Sequence, residues 1–116
     1  MKRLSCIFCR IASKEIPSDL VYETENLVAF KDLNPQAPVH ILIVPKAHIT
    51  SINDINHENS SIIAEIFEAV SVIAEQEGIK ESGYRVISNC GDDGCQSVKH
   101  LHFHLVGGKK LSETLS

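Results

Sequence analysis

The chain has 116 residues, 43% of them hydrophobic, enough for one core and too many for a disordered chain. Its formal net charge is −4, from 11 Lys and Arg against 15 Asp and Glu, with no basic block, which argues against wrapping a nucleic-acid backbone. No apolar run reaches the roughly 20 residues of a membrane span, and the opening MKRLSCIFCR lacks a signal-peptide core. The expected location is the cytoplasm, where four cysteines are thiols or metal ligands rather than disulfides.

In chain order, CIFCRIASKEIP places Ile7, Phe8 and Ile11 at helical spacing before Pro17, which predicts a short helix. Residues 20–23 and 27–31 read as two short strands joined by a turn at TEN. NPQAP is a loop, because its prolines remove donors and restrict the residues before them. VHILIVPKAHI is almost continuously apolar and predicts a buried central strand ending near Pro45. A long helix is expected over about residues 57–77, with Ile62, Ile63, Ile66, Phe67, Val70, Ile73 and Ala74 on one face. Asn56 or a neighbour would cap its start, and Gly78 stands where a terminating glycine belongs. YRVISN reads as a strand, CGDDGCQS as a Gly-rich loop, and KHLHFHLVGG as a final strand before a polar tail from about residue 109. The sum is one α+β domain over residues 1–116, with about five strands, one long helix and one short one.

The final strand carries the chemistry. His100, His102 and His104 alternate with Leu101, Phe103 and Leu105, so the three imidazoles share one face. At roughly 3.3 Å per residue the outer two start about 13 Å apart. A single metal ion, with bonds of about 2 Å, reaches two adjacent rings but not all three. The row therefore reads as proton handlers, with room for a metal at one end. Glycines 91 and 94, with Gln96 and Ser97, deliver hydrogen-bond donors to the start of this strand, as an oxyanion site requires. His102 has a histidine on each side and is the candidate nucleophile toward phosphorus, while His104 lies furthest along the strand from the loop.

The motif HLHFHLV resembles the signature of the histidine-triad family. IFCRIASKEIPSDLVYE, AFKDLNPQAPVHILIVPKAHI and GCQSVKHLHFHLVGG follow the order and spacing of its Hint branch, in the bacterial form. The resemblance implies an α+β homodimer with an antiparallel sheet. It also implies hydrolysis of a purine nucleoside phosphoramidate at the α-phosphate through a nucleotidyl-histidine. It assigns His102 as nucleophile, His100 and His104 as its flanking partners, and His40 as a supporting histidine. Asp32 would hold the ribose, and Ile7, Phe8, Ile11, Phe30 and Leu33 the base. Asn89, Gln96 and Ser97 would lie on the phosphate side, with Cys95 where the family usually has glycine. The tail lacks the Trp-Pro-Pro-Gly ending of the eukaryotic members, so leaving-group preference does not carry over.

CIFC is a C-x-x-C, open on its own to zinc, to redox chemistry or to coincidence. A redox pair normally follows a strand and opens a long helix, a setting absent here. The family resemblance adds His48 and His100 to Cys6 and Cys9 as a structural Zn2+ site. Cys90 and Cys95 fall outside this set. The competing function is a non-catalytic nucleotide-binding module that keeps the fold and the zinc.

Overall fold

The computed structural model describes residues 5–115; residues 1–4 and 116, the outer ends of the domain expected from sequence, lie outside it. Helix α1 spans Ile7–Ala12 and is followed by strands β1 Leu20–Glu23, β2 Leu27–Lys31 and β3 Val39–Pro45. A single 3-10 turn at Ile52–Asp54 precedes helix α2 Ser61–Gln76, and strands β4 Tyr84–Ile87 and β5 Phe103–Gly107 complete the chain. The five strands form one antiparallel sheet in the order β1-β2-β3-β5-β4.

Period-2 alternation in β2, β3 and β5 gives the sheet two unlike faces. Leu27, Ala29, Ile41, Ile43, Phe103 and Leu105 point to one side and pack against Ile66, Ala69, Val70, Ile73 and Ala74 of α2. Val28, Phe30, Leu42 and Val44 point to the other, where they meet Phe8 and Ile11 of α1. The histidines share this second face, so the row predicted to look away from the core faces a smaller apolar cluster.

Helix α2 starts four residues later than expected. Asn56 does not cap it: its Oδ1 accepts the Glu58 N–H, and its own N–H donates to Asn59 Oδ1, both at 2.8 Å. These local bonds satisfy the backbone in a turn over residues 57–60 and compete with helix there. The other end matches expectation. Gly78 takes φ +74° and the Ile79 N–H returns to the Ala74 carbonyl at 3.0 Å, a Schellman closure that needs glycine at the left-handed position.

Strand β4 stops at Ile87, short of the predicted Asn89, because Ser88 and Asn89 turn their side chains to other tasks. Ser88 Oγ donates to the His102 carbonyl at 2.8 Å, and Asn89 Nδ2 donates to the Gly94 carbonyl at 2.7 Å. The histidine strand is shortened for the same reason. Ladder pairing begins at Phe103, and His100 and His102 lie in an extended lead-in. The alternation survives, with Leu101, Phe103 and Leu105 all in the core beneath α2. Among the described residues, no helix is long and apolar enough to cross a membrane.

Candidate active site and metal centre

Helix α1 serves two sites at once. Cys6 caps its N-terminus, the Sγ accepting the Cys9 N–H at 3.4 Å, and so the two thiols face the same way. Cys6 Sγ lies 3.3 Å from His100 Nδ1, and Cys9 Sγ lies 3.2 Å from His48 Nδ1 and 3.5 Å from His100 Nδ1. All four donor atoms fall within 4.8 Å of one another. Bonds of about 2.0–2.3 Å in a tetrahedron give edges of roughly 3.3–3.8 Å, so this set fits one four-coordinate ion. The outer hydrogen bond supports the fit. His100 Nε2 faces the Pro45 carbonyl at 2.8 Å, and a carbonyl only accepts. The proton therefore sits on Nε2, and the Nδ1 lone pair is left for the metal. Burial pushes His100 down to about 4, beside His48 and His102, so the ring is neutral at pH 7 as a ligand must be.

The other side of α1 opens onto a cavity of about 290 Å³. Ile7, Phe8 and Ile11 of α1 and Phe30 and Leu33 of the β2 segment line it, with Asp32 on its wall and His102, His104 and Ser97 at its end. Phe8 lies edge-on to the His102 ring at 5.0 Å between centroids. Leu33 is 97% exposed at the rim. Ile16, Leu42 and Val98 also line the cavity and were not singled out from sequence. Leu42 was discoverable, since it is two residues from His40 on the same strand face.

The proton positions of the remaining histidines follow from groups whose roles are not negotiable. His102 Nδ1 is 2.7 Å from the His100 carbonyl, so Nδ1 carries the proton and Nε2 presents a lone pair. The Gln36 main-chain N–H donates to His40 Nδ1 at 3.0 Å, so the proton of His40 is on Nε2. That nitrogen lies 2.9 Å from His104 Nδ1, with Asp32 Oδ2 further off at 3.5 Å. His104 accepts at Nδ1 and is left with an Nε2–H. Burial, reinforced by His102 and His40 and opposed by Asp32, pulls His104 down to about 4. His102 moves in the same direction, chiefly through burial, against its bond to the His100 carbonyl and the Asp32 charge. The face thus offers one neutral nucleophilic nitrogen on His102 and one N–H donor on His104, with ring centroids 5.1 Å apart.

The loop residues expected on the phosphate side separate. Ser97 is exposed beside His102 and His104. Gln96 is buried, and its side chain is committed to the loop. Its Oε1 accepts the Gly91 N–H at 3.0 Å, while Nε2 donates to the carbonyls of Thr50 at 2.7 Å and Val98 at 3.0 Å. Gln96 therefore braces the loop instead of reaching the cavity. Asn89 and Cys95 line a second cavity on the far side of His104, together with Gly94. The loop folds back on His104, which the sequence had placed furthest from it. Cys95 occupies the left-handed region at φ +61°, where a glycine would be unstrained. Asp32 Oδ1 accepts the Asn34 N–H at 2.8 Å, a turn bond that fixes the carboxylate on the cavity wall.

A row of alternating histidines on one face of a five-stranded antiparallel sheet, beside a nucleoside-sized apolar cavity, defines a class, and comparison with known proteins agrees. The chain belongs to the histidine-triad family. Residues 5–115 match the family model described as the scavenger mRNA decapping enzyme C-terminal binding domain. The chain is 46% identical over 110 residues to the purine nucleoside phosphoramidase of Escherichia coli K12, covering 95% of this chain and 92% of that protein. It is 47% identical over 108 residues to the 14 kDa zinc-binding protein of Zea mays, covering 91% and 84%. The structure of a histidine triad protein from Clostridium difficile superimposes with a TM-score of 0.96 at 51% identity, covering 98% of this chain and 99% of that one.

Proposed function

We propose that this protein is a purine nucleoside phosphoramidase, with His102 as a covalent nucleophile. The observation that carries the reading is the 2.7 Å contact from His102 Nδ1 to the His100 carbonyl, which commits the only proton of a neutral ring and leaves Nε2 at the cavity. The base enters between α1 and β2, and Asp32 takes the ribose hydroxyls. His102 Nε2 attacks the α-phosphorus as the bond from phosphorus to the leaving nitrogen breaks. The Nε2–H of His104 hydrogen-bonds to that nitrogen, or to a phosphoryl oxygen as charge builds there, and the departing nitrogen takes its proton from solvent. Ser97 supplies a further donor. Water then attacks phosphorus as the phosphorus–Nε2 bond breaks, releasing the nucleoside monophosphate and a proton to solvent and restoring the neutral His102 ring. The E. coli relative named for this activity supports the substrate class.

Cys6, Cys9, His48 and His100 would hold a structural Zn2+ in a closed site. With its ring held there, His100 would keep its carbonyl in place, and that carbonyl orients His102. A homodimer belongs to the same reading. β4 is an edge strand with Tyr84 38% exposed, and α2 leaves Phe67 51% and Val72 41% exposed.

The test offers purified protein adenosine and guanosine phosphoramidates and dinucleoside polyphosphates. Rapid quenching followed by peptide fragmentation should place a nucleotidyl adduct on His102. Adduct on another residue removes the mechanism, and nucleotide binding without turnover of any substrate leaves the binding module. Light scattering should give twice the 12.8 kDa chain mass.

A further inference from the structure

The second cavity, about 750 Å³, lies on the opposite side of His104 from the nucleoside cavity. Among the described residues, His104 is the one that lines both. A nucleotide seated with its base against Phe8 and its phosphorus at His102 would therefore send its leaving group past His104 into this space.

The two cavities differ in charge. Lys31 faces Asp19 and Asp32 around the nucleoside. Around the second cavity stand Arg85, Lys109 and Lys110, with Asp93 as the one acidic residue among the described lining. A chain of net charge −4 has gathered three of its 11 cations at one cavity. The fold holds them there. Arg85 pairs with Val106 and Ile87 pairs with His104 across β4 and β5, which sets both β4 side chains on the histidine face. Gly108, at φ +88°, turns the tail back over that face, and a Cβ there would come within 3.0 Å of Pro38 Cβ. Arg85 Nη2 then donates to the Ser112 carbonyl at 2.6 Å and straps the tail across the opening. Ile87 and Val106 supply an apolar floor beneath the cations.

We propose that this cavity is the leaving-group subsite and that it selects leaving groups with an anionic terminus, a carboxylate or phosphate at the end of a short aliphatic spacer. The inference rests on the phosphoramidase reading and adds the chemistry of the departing amine. The spacer lies on Ile87 and Val106, and the anion meets Lys109, Lys110 and Arg85. An ammonium terminus meets the same three cations and is disfavoured.

The experiment compares adenosine 5′-phosphoramidates of β-alanine, 2-aminoethyl phosphate, β-alaninamide and ethylenediamine, in whatever assembly the full chain forms. At low ionic strength kcat/KM for the two anionic amines should exceed that for the amide by about tenfold, as expected for two or three partly screened charge pairs. The diamine should be poorest. The preference should collapse near 1 M salt, where the Debye length falls to about 3 Å. In the double variant Lys109→Gln/Lys110→Gln the ratio of anionic to neutral substrate should drop below about threefold. Intrinsic leaving-group reactivity is the same for both proteins and cancels in that comparison. A parent ratio near one, a preference for the diamine, or a ratio untouched by the double variant overturns the proposal. If no member is cleaved, the phosphoramidase reading fails. The subsite is then judged by calorimetry of the methylene-bridged analogues, which must bind in the same order; a flat order overturns it.

Discussion

Two clusters on this face satisfy the same distance criterion for a metal. Cys6, Cys9, His48 and His100 place their donor atoms within 4.8 Å of one another, and so do Asp32, His40 and His104. Their hydrogen bonds give them different chemistry. At His100 the partner outside the cluster is the Pro45 carbonyl, which takes the ring proton away from the thiols and frees the inner nitrogen. At His40 the outside partner is the Gln36 N–H, which occupies the outer lone pair and drives the proton inward toward His104. A metal on His40 Nε2 would force the proton to Nδ1, against the Gln36 N–H. A carbonyl in one place and an amide in the other thus suit one cluster to a metal and its neighbour to a hydrogen-bonded relay.

Substitutions should separate the two most sharply in activity. His102→Ala should lower turnover by roughly four orders of magnitude or more, as loss of a covalent nucleophile does. Nucleotide affinity should change little, and elemental analysis should still find about one ion per chain. Loss of the ion in this variant would show that the clusters are not independent. Cys9→Ser is the converse. The ion should be lost, at a cost of about 3 kcal/mol and a Tm drop on the order of 10 °C, while the adduct on His102 still forms at a reduced rate. An unchanged Tm would mean that the cluster holds no ion in solution.

The proton assignments can be read directly. Nitrogen-15 correlation spectra at pH 7 should show His40, His100 and His104 protonated on Nε2 and His102 on Nδ1. His40→Ala should cost about a hundredfold in kcat, the scale of acid–base assistance, with the metal retained. Finding His104 protonated on Nδ1 breaks the relay.

Acid should act on the relay through the same rings. His104 titrates near 4 in the folded protein and near 6.5 when unfolded. Above 6.5 both states hold it neutral and its contribution to stability is flat. Between 6.5 and 4 the unfolded chain binds a proton that the folded chain refuses, so stability falls as pH falls through that window. Denaturant midpoints measured across it should decline, and the acid limb of kcat should lie well below 6.5. A kcat profile breaking at 6.5 would mean that His104 is solvated.

Much of this was legible in the sequence because it depends on side-chain type and period. The alternation of HLHFHLV puts three rings on one face even where the ladder is broken, and C-x-x-C on a helix start brings two thiols together. The helix start at Ser61 was missed because Asn56 and Asn59 satisfy each other in a turn, and a cap signal looks the same in either role. Gln96 looks like a phosphate donor by type, yet three main-chain contacts, to Gly91, Thr50 and Val98, use its amide. The groups that distinguish metal site from relay were illegible in principle. The Pro45 carbonyl and the Gln36 N–H are main-chain atoms that nearly any residue could supply, and only the register of β3 and its preceding loop brings them to the rings.

The smallest effect tests whether the relay side of the face carries its own strain. Cys95 sits at φ +61°, a conformation costing a residue with a Cβ about 1 kcal/mol or more, and it lines the cavity of His40 and His104 but touches none of the metal cluster. Gly78 meets a similar demand, at φ +74°, with the residue that pays nothing for it. Cys95→Gly should relieve the strain. Glycine's greater freedom in the unfolded chain offsets part of the gain, leaving a net stabilisation of roughly 0.5 kcal/mol and a Tm rise of about 2 °C. Cys95 is exposed, so little packing is lost, and the loop bond from its N–H to the Asp92 carbonyl at 3.0 Å is kept. Metal content should not move, and kcat should stay within about threefold of the parent, since the triad's hydrogen bonds do not pass through this residue. A drop in Tm would show that the thiol makes a contact worth more than the strain it carries. The loop would then belong to the relay as a working part and not merely as its wall.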